Sequence, residues 1–107
     1  MSTARTGRDR EHKVSRDLSG YGWRQIMRAA ASKGPADLLM AHPIHGAALV
    51  QVGSRSKTLG PGDRERLCYA AELCSALAVM AIVLPRQPIR YSLVTRETAS
   101  KWAEWKP

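Results

Sequence analysis

The run "ALAVMAIVL" at positions 76–84 limits what this chain can fold into more than any other stretch. It is about half the length of a membrane-spanning helix. A near-continuous apolar run of this kind reads instead as a buried strand, and "AVMAIVL" within it is expected to form the fourth strand of a sheet. The segment before it has a different period. Gly60 and Pro61 open a helix, because proline is favoured at the first helical position, and Leu67, Ala70, Ala71, Cys74 and Leu77 recur at helical spacing. A helix over about 61–77 leading into a buried strand implies a crossover above a sheet, which is an α/β arrangement.

The remaining elements fill in that sheet. "WRQIMRAAA" (23–31) lies between a glycine-containing turn and "SKGP" and reads as the first strand; "ADLLMAH" (36–42) and "AALVQV" (47–52) read as the second and third, joined by the turn "HPIHG". In "PIRYSLV" (88–94), Ile89, Tyr91 and Leu93 alternate with Arg90, Ser92 and Val94, as expected of a half-exposed fifth strand. Ahead of the sheet, Val14 and Leu18 stand four apart, the mark of a short helix from Glu11 to Leu18 that the "SGYG" signal ends. "MSTARTGRDR" (1–10) has too little apolar area to pack and is expected to be a flexible basic arm. The tail "ETASKWAEWKP" is expected to be a short helix pairing Trp102 with Trp105. With 107 residues in all, positions 11–107 are expected to form a single domain with a mixed five-stranded sheet flanked by helices.

Charge narrows the partners. Seventeen Lys and Arg against nine Asp and Glu give a net charge of +8 and a pI near 10.2, which favours a polyanion, nucleic acid above all. A membrane surface would require cations along one face of an amphipathic helix or a polybasic run beside an apolar anchor, and neither is visible. The N-terminus is basic but has no apolar signal core, so the expected location is the cytoplasm. Cys68 and Cys74 are six apart in a helical segment, which turns them to different faces and is neither metal-ligand nor redox spacing, so both are expected to be buried or half-buried thiols.

Three polar features fall near strand ends. Asp37 starts the second strand, Gln51 and Gly53 lie on the third, and Glu11 is on the first helix. Residues two apart in a strand share a face, so Gln51, Gly53 and Arg55 point one way and Val50 and Val52 the other. An acid and an amide oxygen on neighbouring strands can cradle Mg²⁺ (or Mn²⁺), which takes oxygen ligands and keeps several waters. An aspartate in this position also serves as an ordinary turn residue at a strand start. His42 and His45 lack a carboxylate or cysteine beside them and read as turn residues. Trp102 and Trp105 read as packing residues, and Arg24 and Arg28, an even number apart, share a face that either lines a DNA groove or is simply solvated.

The order of elements, with "GRDRE" on the first helix, "AASKGPAD" entering the second strand, and "LVQVGSRSK" on the third followed by "LGPGDRERLCYAAEL", resembles the Holliday junction resolvases of archaea and actinobacterial phages. Those enzymes belong to the PD-(D/E)XK nuclease superfamily. The resemblance covers about positions 7–95 and implies a restriction-endonuclease-like α/β core, a structure-selective and Mg²⁺-dependent DNA endonuclease, and a homodimer acting on four-way junctions. By it, Glu11 matches the helix glutamate of the metal site, Ser32 the small polar residue before the motif, Asp37 the metal-binding aspartate, and Gln51 the position usually held by glutamate.

Two departures stand out. The motif reads "PAD", with Ala36 inserted, and Gly53 occupies the place of the lysine that would orient the attacking water and stabilise charge on the phosphate. Loss of one preorganised donor typically lowers a rate by about 10²–10³. Arg55, about 7 Å farther along the same strand face, is the nearest replacement cation, though a guanidinium cannot act as a general base. Candidate phosphate contacts are Arg8 and Arg10 in the arm, Arg24 and Arg28 on the first strand, Lys33 before the aspartate, and Arg55 and Lys57 in the basic loop, where charge also serves DNA binding without catalysis. The alternatives are a degenerate relative that binds branched DNA without cutting it, and a basic RNA-associated protein indifferent to divalent metal.

Overall fold

The computed structural model describes residues 3–29, 34–54, 59–98 and 101–107, with side chains from residue 8 onward. Among these, two helices and six strands follow in the order α1 (Thr3–Ser19), β1 (Arg24–Arg28), β2 (Leu38–His42), β3 (Gly46–Gly53), α2 (Pro61–Leu73), β4 (Ala76–Ile82), β5 (Arg90–Leu93) and β6 (Ala103–Glu104). The strands form one sheet in sequence order. β3 and β4 are parallel and every other neighbouring pair is antiparallel. α2 makes the crossover that the parallel pair requires.

The two sheet faces carry two cores. Val14 and Leu18 of α1, both fully buried, pack with Trp23, Leu38, Met40, Val50, Val52 and Val79. On the other face Leu67, Cys68 and Ala71 of α2 pack with Leu49 and Met80. β4 therefore faces apolar side chains on both sides, which accounts for its unbroken apolar sequence. Burying a side chain such as Leu18 or Val14 stabilises the fold by about 1.5–3 kcal/mol. No helix among the described residues is long and apolar enough to cross a membrane.

Several boundaries differ from the sequence expectation. α1 begins at Thr3, well before Glu11, so much of the stretch read as an arm is helical. α2 stops at Leu73 because Ser75 adopts a positive φ of 52°. Leu77, which continued the helical spacing, instead sits on β4 against the α1-side core. The C-terminal segment forms a two-residue strand, not a helix, and makes the sheet six-stranded. Residues three apart lie on opposite faces of a strand. Trp105 accordingly packs on the α1-side core and Trp102 on the α2-side core.

α1 is fastened to both sides of the sheet. Toward β1, the Glu11 carboxylate accepts from Arg28 Nε at 2.6 Å. Toward β5, Tyr91 donates its hydroxyl to Asp17 Oδ2, also at 2.6 Å. Burial first, and then this hydrogen bond, raise the Tyr91 hydroxyl well above its ordinary value of 10.0. A group with a raised native pKa lends stability that is complete below the unfolded pKa and declines as pH rises past it. Tyr91→Phe is thus expected to lower stability near neutral pH by about 1.5–3 kcal/mol. The gap from the unaltered chain should narrow above pH 10, as followed by urea unfolding across pH 8–11.

The end of α1 depends on a histidine and a glycine. Gly22 has a φ of 94°, and a Cβ on it would stand 2.8 Å from His42 Nε2. That nitrogen donates to the Tyr21 carbonyl at 3.1 Å while Nδ1 accepts the Ile44 and His45 N–H groups. His42 is therefore the turn residue that the sequence suggested. Gly22→Ala combines left-handed strain with loss of this network and is expected to destabilise by about 2–3 kcal/mol, read as a lower urea midpoint.

Candidate functional site

Asp37 stands just before β2, one residue beyond the Leu38↔Val50 pair and beside Gln51. It is 5% exposed and held from three directions. Its N–H donates to the Val50 carbonyl at 3.0 Å, its carbonyl accepts the Ala29 N–H at 2.9 Å, and its Oδ2 accepts the Val52 N–H at 2.8 Å. These bonds join the ends of β1, β2 and β3 and fix the direction of the carboxylate. A charge-assisted hydrogen bond of this kind contributes about 1.5–3 kcal/mol. Oδ1 has no hydrogen bond among the described residues.

Gln51 is half-buried and Gly53 buried. Val50 and Val52 belong to the α1-side core and Leu49 to the α2-side core, so Gln51 and Gly53 alternate onto the α2 side, as the sequence predicts. Gly53 ends β3, and its carbonyl accepts the Val83 N–H at 2.8 Å, which ties this end of β3 to the end of β4.

Glu11 reaches the same end of the sheet from the α1 side, but its carboxylate is committed to Arg28. No hydrogen bond joins Glu11 to Asp37 or Gln51 among the described residues. Nor does any group of three His, Cys, Asp or Glu side chains there gather at metal-binding distance. Arg28 is the cross-strand partner of Leu38, the neighbour of Asp37 in the chain.

Arg24 and Arg28 do not share a face. A bulge between Gln25 and Met27 shifts the register, so Arg24 pairs with Ala41 and Arg28 with Leu38. Ala41 and Leu38 are an odd number of residues apart and point oppositely, and one extra residue in a strand reverses the alternation beyond it. Arg8 is exposed and Arg10 half-buried on α1. Ser32, Lys33, Arg55 and Lys57 lie outside the described residues.

A second charged cluster escaped the sequence reading. Arg96, after β5, donates from Nε to Glu65 at 2.7 Å and in a forked pair to Glu72, both glutamates being on α2. The guanidinium holds the Glu72 carboxyl below its ordinary range. Arg64 donates to the carbonyls of Arg96 at 3.1 Å and Leu59 at 2.6 Å, which anchors the start of α2. The partners of Arg96 are 24 to 32 residues away in sequence, so no local spacing announces them. Beneath this cluster, burial pushes the Cys68 thiol up, against the opposing charge of Arg96. Cys74 is exposed, not buried or half-buried as expected, because it caps the end of α2 and turns to the other face from Cys68.

No family model matches the chain, and no curated protein matches it. Among solved structures, the chain is similar to Hjc of Archaeoglobus fulgidus, a Holliday junction resolvase from an archaeal hyperthermophile. The two share a TM-score of 0.69 and 24% sequence identity, over 81% of this chain and 76% of that one. The likeness carries the fold: this chain has the α/β fold of Hjc, with six strands where the sequence predicted five.

Proposed function

We propose that the protein is a resolvase-like DNA endonuclease that recognises four-way junctions and hydrolyses a phosphodiester at a Mg²⁺ site formed by Asp37 and Gln51. The observation that supports this most strongly is the fixed Asp37 carboxylate at the meeting point of three strand ends. A buried aspartate with one oxygen bonded and the other without a hydrogen bond among the described residues offers a hard, oriented oxygen, and the neighbouring Gln51 amide offers a second. That donor set suits Mg²⁺, with water completing the shell. When bound, the metal supplies Lewis acidity toward the phosphate and a more acidic water. The Val52 N–H keeps the Asp37 carboxylate turned to one side. With Glu11 paired to Arg28, Asp37 is the one uncommitted anion at the site among the described residues, and weak affinity for Mg²⁺ is expected. A junction has two strands to cut symmetrically, so a two-fold homodimer in the cytoplasm, the host cytoplasm for a phage protein, is the working assembly.

A second reading, junction binding without cleavage, is favoured by two observations: Gly53 has no side chain to offer, and Glu11 is occupied by Arg28. Both readings require selection of branched DNA. Competition of unlabelled duplex and four-way junction against a labelled junction, at fixed salt, tests that requirement. The junction is expected to compete at least about tenfold better per strand. Equal competition by duplex contradicts junction selectivity, and stronger competition by RNA points to the RNA-associated alternative.

A further inference from the structure

We propose that the cleft between α1 and the β4–β5 turn is a second DNA-contact surface, which holds the sugar-phosphate backbone of a junction arm apart from the Asp37 site. This rests on the DNA-binding reading and adds to it a surface outside the residues discussed above. The cleft has a volume of about 840 Å³ and an apolar floor that includes Val83 and Ile89. Its cations are Lys13 and Arg16 on α1 and Arg86 on the turn, all exposed. Unlike Arg28, Arg66 and Arg96, none of the three has an acidic partner among the described residues. The acid in the cleft wall, Asp17, is engaged by the Tyr91 hydroxyl at 2.6 Å. Tyr91 donates as a neutral hydroxyl and leaves the Asp17 charge in place, so the wall carries three cations against one carboxylate and is net positive toward an outside anion. Tyr21 at the rim is 54% exposed and can stack on a sugar or base.

The turn adds an independent observation. The N–H of Gln87 donates to the Leu84 carbonyl at 3.4 Å, and Arg86 in between has a φ of 58°. With proline second and a positive φ third, "LPRQ" is a type II turn, in which the third position favours glycine. An arginine there is held against the preference of the backbone, as strained residues at working surfaces often are. The turn also leaves the sheet where Val83 bonds the Gly53 carbonyl, so the cleft begins at the same sheet end as the Asp37 site. A second cleft, of about 740 Å³, shares Asp17, Tyr21, Pro88 and Ile89 with the first, but there Asp17 and Glu104 offset Arg90 and Lys106, so the excess of positive charge belongs to the first cleft.

The strain makes a clean test available. Arg86→Gly removes the cation and relieves the turn, so melting temperature is expected to stay level or rise while DNA binding weakens. Binding of a labelled four-way junction is measured by fluorescence anisotropy from 50 to 300 mM salt for the unaltered chain, Lys13→Gln, Arg16→Gln, Arg86→Gly and, as a control far from the cleft, Arg66→Gln. Each cleft variant should lower the slope of log affinity against log salt by about 0.9 and weaken binding about 8-fold at 0.1 M, while Arg66→Gln leaves the slope unchanged. Slopes equal to the unaltered chain in all three cleft variants overturn the second surface while leaving junction binding intact. Equal losses in Arg66→Gln also overturn it, since they reduce the effect to net charge. No binding by the unaltered chain overturns the DNA reading and this surface with it.

Discussion

Gly53→Lys is expected to cleave a four-way junction about 10²–10³ times faster than the unaltered chain, the usual effect of one preorganised donor at a site of developing charge. Gly53 lies on the Gln51 side of β3, at the strand end where Asp37 is fixed. A lysine there would extend from the same face as the proposed metal donors, one strand repeat away. Its long aliphatic stem can cross the buried position and carry the ammonium toward Gln51 and Asp37. The Gly53 carbonyl already bonds the Val83 N–H, and that main-chain bond does not depend on the side chain. The gain is measured as single-turnover cleavage of a labelled junction with Mg²⁺. Gly53→Met serves as a control that adds length without charge and should give no gain. Equal rates for the lysine and methionine variants would remove Gly53 from the account of weak activity.

Substitution of Asp37 should separate chemistry from stability. Asp37→Asn keeps an oxygen for the Val52 N–H and loses the anion, so cleavage should disappear while stability falls by about 1 kcal/mol. Asp37→Ala also leaves the buried Val52 N–H without an acceptor and should destabilise by about 1.5–3 kcal/mol, seen as a lower urea midpoint at unchanged slope. Equal stability losses in the two variants would mean that the 2.8 Å bond to Val52 contributes little. Full cleavage by Asp37→Asn would mean that the metal lies elsewhere.

The central part of the fold was legible because its signals are local. The unbroken apolar run predicted β4, Gly60 and Pro61 predicted the start of α2, and the alternation in "PIRYSLV" placed Tyr91 inward. Elements whose outcome depends on distant partners were harder to read. Trp102 and Trp105 fit a helix by spacing, yet pairing with β5 makes that stretch a strand and sends the two rings to opposite cores. The bulge in β1 reversed Arg24 relative to Arg28, and nothing in "RQIMR" marks an extra residue.

The site follows the same pattern. The alternation of Gln51 and Gly53 against Val50 and Val52 could be read from strand period, and the placement of Asp37 beside Gln51 follows from the hairpin register. The Glu11 to Arg28 pair spans 17 residues and the Tyr91 to Asp17 bond spans 74. Such pairings arise from how α1 crosses the sheet and carry no signature in spacing. Arg86 is an intermediate case, because "PR" at a turn tip is visible but its positive φ and the cations facing it across the cleft are not.

The most direct test of the account is single-turnover cleavage of a labelled four-way junction, with Mg²⁺ and then Mn²⁺, by the unaltered chain and by Asp37→Asn, with junction affinity measured on the same preparations. Slow metal-dependent cutting by the unaltered chain, none by Asp37→Asn, and binding at closely similar affinity by both are expected. Tight binding without cutting by the unaltered chain in either metal would contradict hydrolysis at Asp37, and would leave a fold that holds a junction without cutting it.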